Sequence, residues 1–360
     1  EAIEFQKDET FNNFVQQFSI LRKKKTFKQS DFKGLEELTF SSFNIKISVQ
    51  ENTFTSSEAA VAKPFWLQIN NIIHDEKRKI VYKQLINEEE FLKNAFNEAK
   101  LFKQANLIDL KTAKISGPIS NVTSYMLLSA NIIKKFSAEE MAAVYLHEIG
   151  HIFTFFESMV KLTTVNMVLN GLCLLAESRA SLNKEIYIKQ SEELLGIPEG
   201  SLTLINQTTS SKVVATILLD ATLKKPKSVS NSYFYDMVSS EQLADQFVSR
   251  LGGGRYLIIA LDKLFKSSYD QAMAGRYNTL LIRLALLCVA TLIHPVVGTI
   301  FLTYILYELN KMTISAYHTV GYDEERVRLL RIRNDMSLQL KASMSDDDKR
   351  ALILHIEKMD

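Results

Sequence analysis

Apolar and polar positions alternate along this chain in two different periods. Phe11, Phe14, Phe18 and Leu21 recur at helical spacing among polar neighbours, which predicts a helix with one buried face. Phe43, Ile45, Ile47 and Val49 alternate, the period of a short strand or hairpin arm. Helical spacing returns from about Glu76 to Leu110, until Gly117 and Pro118 interrupt it. The β-branched stretch ISNVTSYM, Ile119 to Met126, then suits an extended edge strand. Ser137, Ala138, Glu139 and Glu140 have capping-box spacing and open a strong apolar helix. A second apolar stretch, Leu162 to Ala176, fits a buried helix, and at 15 residues is short for a membrane crossing. Residues 181–235 read as a loose connector with one short strand or helix around Val213 to Leu219. Another helix runs from Ser239 or Ser240 to the glycines Gly252, Gly253 and Gly254. No Lys-Ser/Thr follows them, so they are a helix stop rather than a phosphate loop. The charged tail from Asp323 is helical, with Asp346, Asp347 and Asp348 opening its last helix.

Composition narrows the class. Hydrophobic residues make up 46% of 360, and Gly and Pro are few (12 and 5), so the chain folds and favours long helices. The expected fold is mainly α with a small β element. Residues 1–110 form an N-terminal mixed region of unassigned role, 111–335 carry the chemistry, and 336–360 form a charged helix. Lys+Arg (43) nearly balances Asp+Glu (41), which speaks against a nucleic-acid partner. The basic run Arg22 to Lys25 reads first as a solvated face, with a membrane or phosphate contact as the rarer alternative. Leu284 to Tyr307 holds 24 residues with no Asp, Glu, Lys or Arg. It is long enough for one bilayer crossing, yet His294, Pro295 and Gly298 divide it into halves that suit two core helices. A membrane partner therefore stays open. The first 20 residues lack the apolar core of a secretory leader, so a cytoplasmic or membrane-associated location is expected.

The chemistry is concentrated in residues 147–151, HEIGH. Histidines four apart on a helix project from one face and can bind one zinc ion, while Glu148 between them is placed to accept a proton. With six histidines and 26 glutamates, chance would supply an HExxH on the order of 0.01 times, so accident is a poor explanation. Apolar residues surround the motif, and Gly150 leaves room for another segment to approach closely. A catalytic zinc needs a third protein ligand. His294, His318, Glu157, Glu177, Glu192, Glu193 and Glu241 all have the right chemistry. Glu241 fits best, because it opens a helix with Asp245 one turn on, a carboxylate suited to orienting a ligand histidine.

The segment ISNVTSYMLLSANIIKKFSAEEMAAVYLHEIGH, followed by Glu241 and Asp245 as ExxxD, resembles the zinc metallopeptidases that include the CAAX prenyl proteases and the bacterial heat-shock protease HtpX. The resemblance covers roughly 200 residues, discontinuously. It implies a gluzincin-like core with one zinc per chain, held by His147, His151 and Glu241, with Asp245 behind them. It also implies that Glu148 is the general base and that His318 and Arg326, in AYHTVGYDEERVRLL, bind the substrate backbone or the oxyanion. The proline usual after that last histidine is Thr319 here. A strand carrying Ile119, Asn121 and Thr123 would hold an extended protein or peptide substrate by its edge. The expected activity is endopeptidase. The alternatives are a structural or assembly protein with an inherited metallopeptidase fold, and a zinc hydrolase acting on another substrate.

Overall fold

The computed structural model describes residues 9–52, 61–64, 88–177, 183–223, 237–264, 282, 285–287, 296, 299, 302–305, 325–340 and 346–357. The fold is mainly α with a small sheet. Helix α1 (Glu9–Arg22) buries Phe11, Phe14, Phe18 and Leu21, the face its periodicity predicts. Helix α2 (Lys33–Phe43) ends at Asn44, whose left-handed backbone (φ 56°, ψ 32°) turns the chain out of the helix. The strand expected from Phe43 therefore starts later, as β1 (Ile47–Asn52), although Phe43, Ile45, Ile47 and Val49 all still point inward.

Strand β2 (Val61–Pro64) precedes helix α3 (Glu88–Ala105), which realises part of the helix expected over 76–110; residues 76–87 lie outside the described residues. A two-residue hairpin, β3 (Ile108–Asp109) and β4 (Lys114–Ile115), leads to β5 (Ser124–Ser129). Here the expected edge strand is corrected twice. Ile119 and Asn121 belong to a 3-10 turn, Pro118–Asn121, because proline's fixed φ suits the first position of a helical turn. Ile119 is buried, Asn121 accepts a hydrogen bond from Lys46 Nζ (2.9 Å), and Thr123 lies ahead of the strand. Strand β5 itself is central, with β1 parallel on one side and β2 antiparallel on the other. Both its ladders are occupied.

After the short helix α4 (Ala130–Lys135), the capping box forms as read. Ser137 N donates to Glu140 Oε2 (3.0 Å) and Glu140 N donates to Ser137 Oγ (3.1 Å). The helix it opens, α5 (Ala138–Glu177), runs 40 residues and absorbs the second apolar stretch as well as the HExxH segment. Among the described residues it is one helix long and apolar enough to cross a membrane, but half of its most apolar window is buried within the protein.

Two hydrophobic cores share α5. The first gathers α1, α2, β1 and β5 around its N-terminal half, with Phe14, Phe18 and Phe43 stacked about Tyr145 and Phe247. Helix α1 packs directly on the HExxH helix, and the buried residues of β1 belong to the same core. The second core lies on Val168, Leu172, Leu175 and Ala176 and is closed by α3, α6 (Lys184–Leu195) and α7 (Ser211–Leu223). Residues 183–223 of the region read as a loose connector thus hold two α-helices that share this core with α3 and α5; 224–235 lie outside the described residues. Helix α8 (Met237–Arg250) stops at Gly252, whose φ of 89° favours glycine, and residues 254–264 are helical again. Helices α9 (Glu325–Gln339) and α10 (Asp346–Glu357) form the tail, the latter opened by the three aspartates.

Candidate metal centre

Helix α5 carries His147 and His151 one turn apart, with their Nε2 atoms 3.1 Å from each other. Helix α8 crosses α5 at Gly150. A Cβ there would stand 2.9 Å from the Ala244 Cα and 3.1 Å from the Phe247 Cβ, so only glycine admits so close a crossing. That approach brings the α8 carboxylates to the histidines. Glu241 straddles the two rings, with Oε2 3.4 Å from His147 Nε2 and Oε1 3.3 Å from His151 Nε2. The ExxxD spacing puts Asp245 on the same helix face one turn on, where Oδ1 lies 3.0 Å from His147 Nδ1. That distance is ion-pair contact without hydrogen-bond alignment, and Nδ1 has no well-aligned partner. On the other ring, His151 Nδ1 lies 2.8 Å from Ser240 Oγ; with the proton on Nδ1, it donates there and turns the Nε2 lone pair inward.

One residue of the site comes from the tail. Arg328 on α9 grips Asp245 with both arms, Nε to Oδ2 at 2.8 Å and an Nη2 contact to Oδ1 at 2.7 Å. The same Nη2 lies 2.9 Å from Glu241 Oε2 and 3.2 Å from His147 Nε2. Sequence reading had named Arg326, two residues earlier. The signal for Arg328 was present in the helix period: Arg328, Ile332 and Met336 are four apart and all buried, so the arginine lies on the inward stripe. Arg326 belongs to α9, with its side chain outside the described residues, and His318 lies outside them altogether. Ser240 was also missed; nothing in its sequence context separates it from Ser239.

Burial and charge pull against each other in this cluster. Burial disfavours the proton on His147, yet the Asp245 and Glu241 carboxylates outweigh it and raise its pKa to about 9, with Arg328 opposing. Burial would raise Glu241 and Asp245. The contacts of Glu241 with His147 and His151, and of Asp245 with His147 and Arg328, hold both well below their ordinary values. Glu148 is half-buried on α5 between the two histidines. Beside the cluster a cleft of about 260 Å³ opens between α8 and α9, lined by Glu241, Asp245, Gln246, Arg328 and Arg331.

The donor set fits zinc. A tetrahedral ion with ligand bonds of about 2.0–2.1 Å needs donor atoms roughly 3.3–3.4 Å apart. The two ring nitrogens and the Glu241 oxygens are separated by 3.1, 3.3 and 3.4 Å. Other third-ligand candidates are engaged elsewhere: Glu157 with Lys161, Glu177 with Ser211, and Glu192 with the backbone amides of Gly200 and Leu202. His147, His151 and Glu241 are the group among the described residues that could hold a metal ion. Comparison with protein-family models, curated proteins and solved structures finds no match to this chain.

Proposed function

We propose that the protein is a zinc-dependent endopeptidase. The observation that carries this reading is the convergence of His147, His151 and Glu241 at tetrahedral separations, with Glu148 on the same helix. Zinc held by these three would supply Lewis acidity, bringing the ionisation of water near neutral pH and polarising a carbonyl. The Glu148 carboxylate takes the proton of the attacking water and returns it to the departing amine. Asp245 and Ser240 act through the ligands, fixing the ring orientations of His147 and His151. Arg328 holds Asp245 in place and is a positioning residue in this scheme. An extended substrate would add as a strand at the outer edge of β2, which packs against α5, because β5 is flanked on both sides.

A specific observation favours a second reading, in which the site is a structural ion-pair cluster. The Arg328 guanidinium lies within 3.2 Å of two ligand atoms and could balance the two carboxylates without a metal. Cleavage of an unfolded protein or a peptide library by wild type and E148Q separates the two. The peptidase reading predicts turnover that E148Q lowers by about 10²–10⁴-fold with zinc retained. Equal turnover in E148Q, or none in a zinc-loaded wild type, would contradict it.

A further inference from the structure

We propose that the face formed by residues 22–28 and 134–135 docks the protein on an anionic lipid surface. This inference is independent of the peptidase reading. Two basic segments far apart in sequence meet there. Helix α1 ends in Arg22, and Lys23, Lys24, Lys25 and Lys28 follow; α4 ends in Lys134 and Lys135. Lys134 Nζ donates to the Lys25 carbonyl (3.0 Å), which places both segments on one surface. Arg22, Lys23, Lys25, Lys28, Lys134 and Lys135 are all exposed, while Asp31 offsets Lys24 at 2.6 Å. Cations at the ends of two helices complement the helix dipoles, but that accounts for the residues in the last turns and not for the run that continues to Lys28.

Charge alone would suit any polyanion; exposed apolar groups favour lipid. Ile20 on α1 is 53% exposed, one turn before Lys23 and Lys24. Lys263 Nζ lies 5.9 Å from the ring centroid of Phe136, the residue after Lys135, and pairs with Glu140. From that point the sequence holds a single acid, Asp270, before Glu308. Within this stretch Ile282, Leu286, Val296, Leu302 and Tyr304 are on helical backbone and 42–62% exposed. Exposed apolar residues in an acid-poor stretch are unfavourable in water and favourable at a bilayer interface. Nucleic acid would use the charge and leave these residues in water.

The test is flotation of the full chain with vesicles of phosphatidylcholine alone and of phosphatidylcholine mixed with phosphatidylglycerol, at low and high salt. Each basic side chain near an anionic surface strengthens binding by about fivefold. The mixed vesicles should bind the protein, and salt should weaken that binding. The variant R22E/K23E/K25E/K134E should lose more than 100-fold in affinity, with an unchanged circular dichroism spectrum. L286D/V296D tests the apolar part and should weaken binding to the mixed vesicles at high salt. Equal binding to both vesicle types, full binding by the charge-reversed variant, or retention on double-stranded DNA without vesicle binding would each overturn the proposal.

Discussion

The two halves of α5 are both largely buried and do different work. From Ala138 to Val160 the helix buries His147 beside Glu241, Asp245 and Arg328. From Thr163 to Glu177 it buries aliphatic side chains against α3, α6 and α7. Each half has a glycine at its closest crossing. At Gly150 an added methyl would meet the backbone of α8, which cannot move without carrying Glu241 with it. At Gly171 it would meet the ring of Phe96 (2.9 Å), the movable end of a side chain. One half specifies the position of charged atoms to a fraction of an ångström; the other specifies only that apolar surface is covered. Disturbance in the first half should therefore appear in zinc binding, and in the second only in stability.

The largest expected effect is loss of the ligands. H147A and E241A should lower bound zinc from about one per chain to none and abolish turnover, since two remaining donors hold zinc poorly. Substitutions at Val168 or Leu172 should leave the metal content unchanged, as read by elemental analysis of purified protein. Next is R328A, which removes the partner of a buried carboxylate and should destabilise the fold by about 3–5 kcal/mol in urea unfolding. L330A, at an exposed position on the same helix, should cost well under 1 kcal/mol, as for an ordinary surface substitution. Equal effects would mean that the register of α9 is wrong.

The glycine pair sharpens the comparison further. G150A should cost about 1–3 kcal/mol by overpacking and weaken zinc binding, because α8 must shift. G171A should cost less and leave zinc affinity intact. The smallest effect is a dependence on pH. In zinc-free protein His147 holds its proton more tightly when folded, at about 9 against an ordinary 6.5. Its contribution to stability is fully present below 6.5 and is lost as pH rises through about 9. Zinc needs that ring deprotonated, so the rise in Tm on adding zinc should widen from pH 6.5 to pH 9. A rise that narrows over that range would contradict the assigned coupling between His147 and its two carboxylates.

The same contrast explains what could be read from the sequence. Patterns closed within a few residues were legible: the α1 face, the Ser137–Glu140 capping box, the HExxH pair and the ExxxD carboxylates all depend on helical spacing alone. What failed depended on partners far away in the chain. Nothing in Ile119 to Met126 tells a central strand from an edge strand, because β1 arrives from 77 residues upstream. The apolar positions of 184–223 are spaced for helices, but a core that closes only on α5 left them looking like a connector. Arg328 was legible in principle from its four-residue spacing to Ile332 and Met336. The resemblance implies an arginine after His318 but does not say which residue of the helix faces inward, and Arg326 is the first arginine to follow.

The central claim, a zinc centre built by α5 and α8, is tested most directly by metal content. Purified wild type and E148Q should each carry about one zinc per chain, and E241A should carry none. Zinc-free wild type that takes up no zinc on titration, or E241A that retains it in full, would contradict the account.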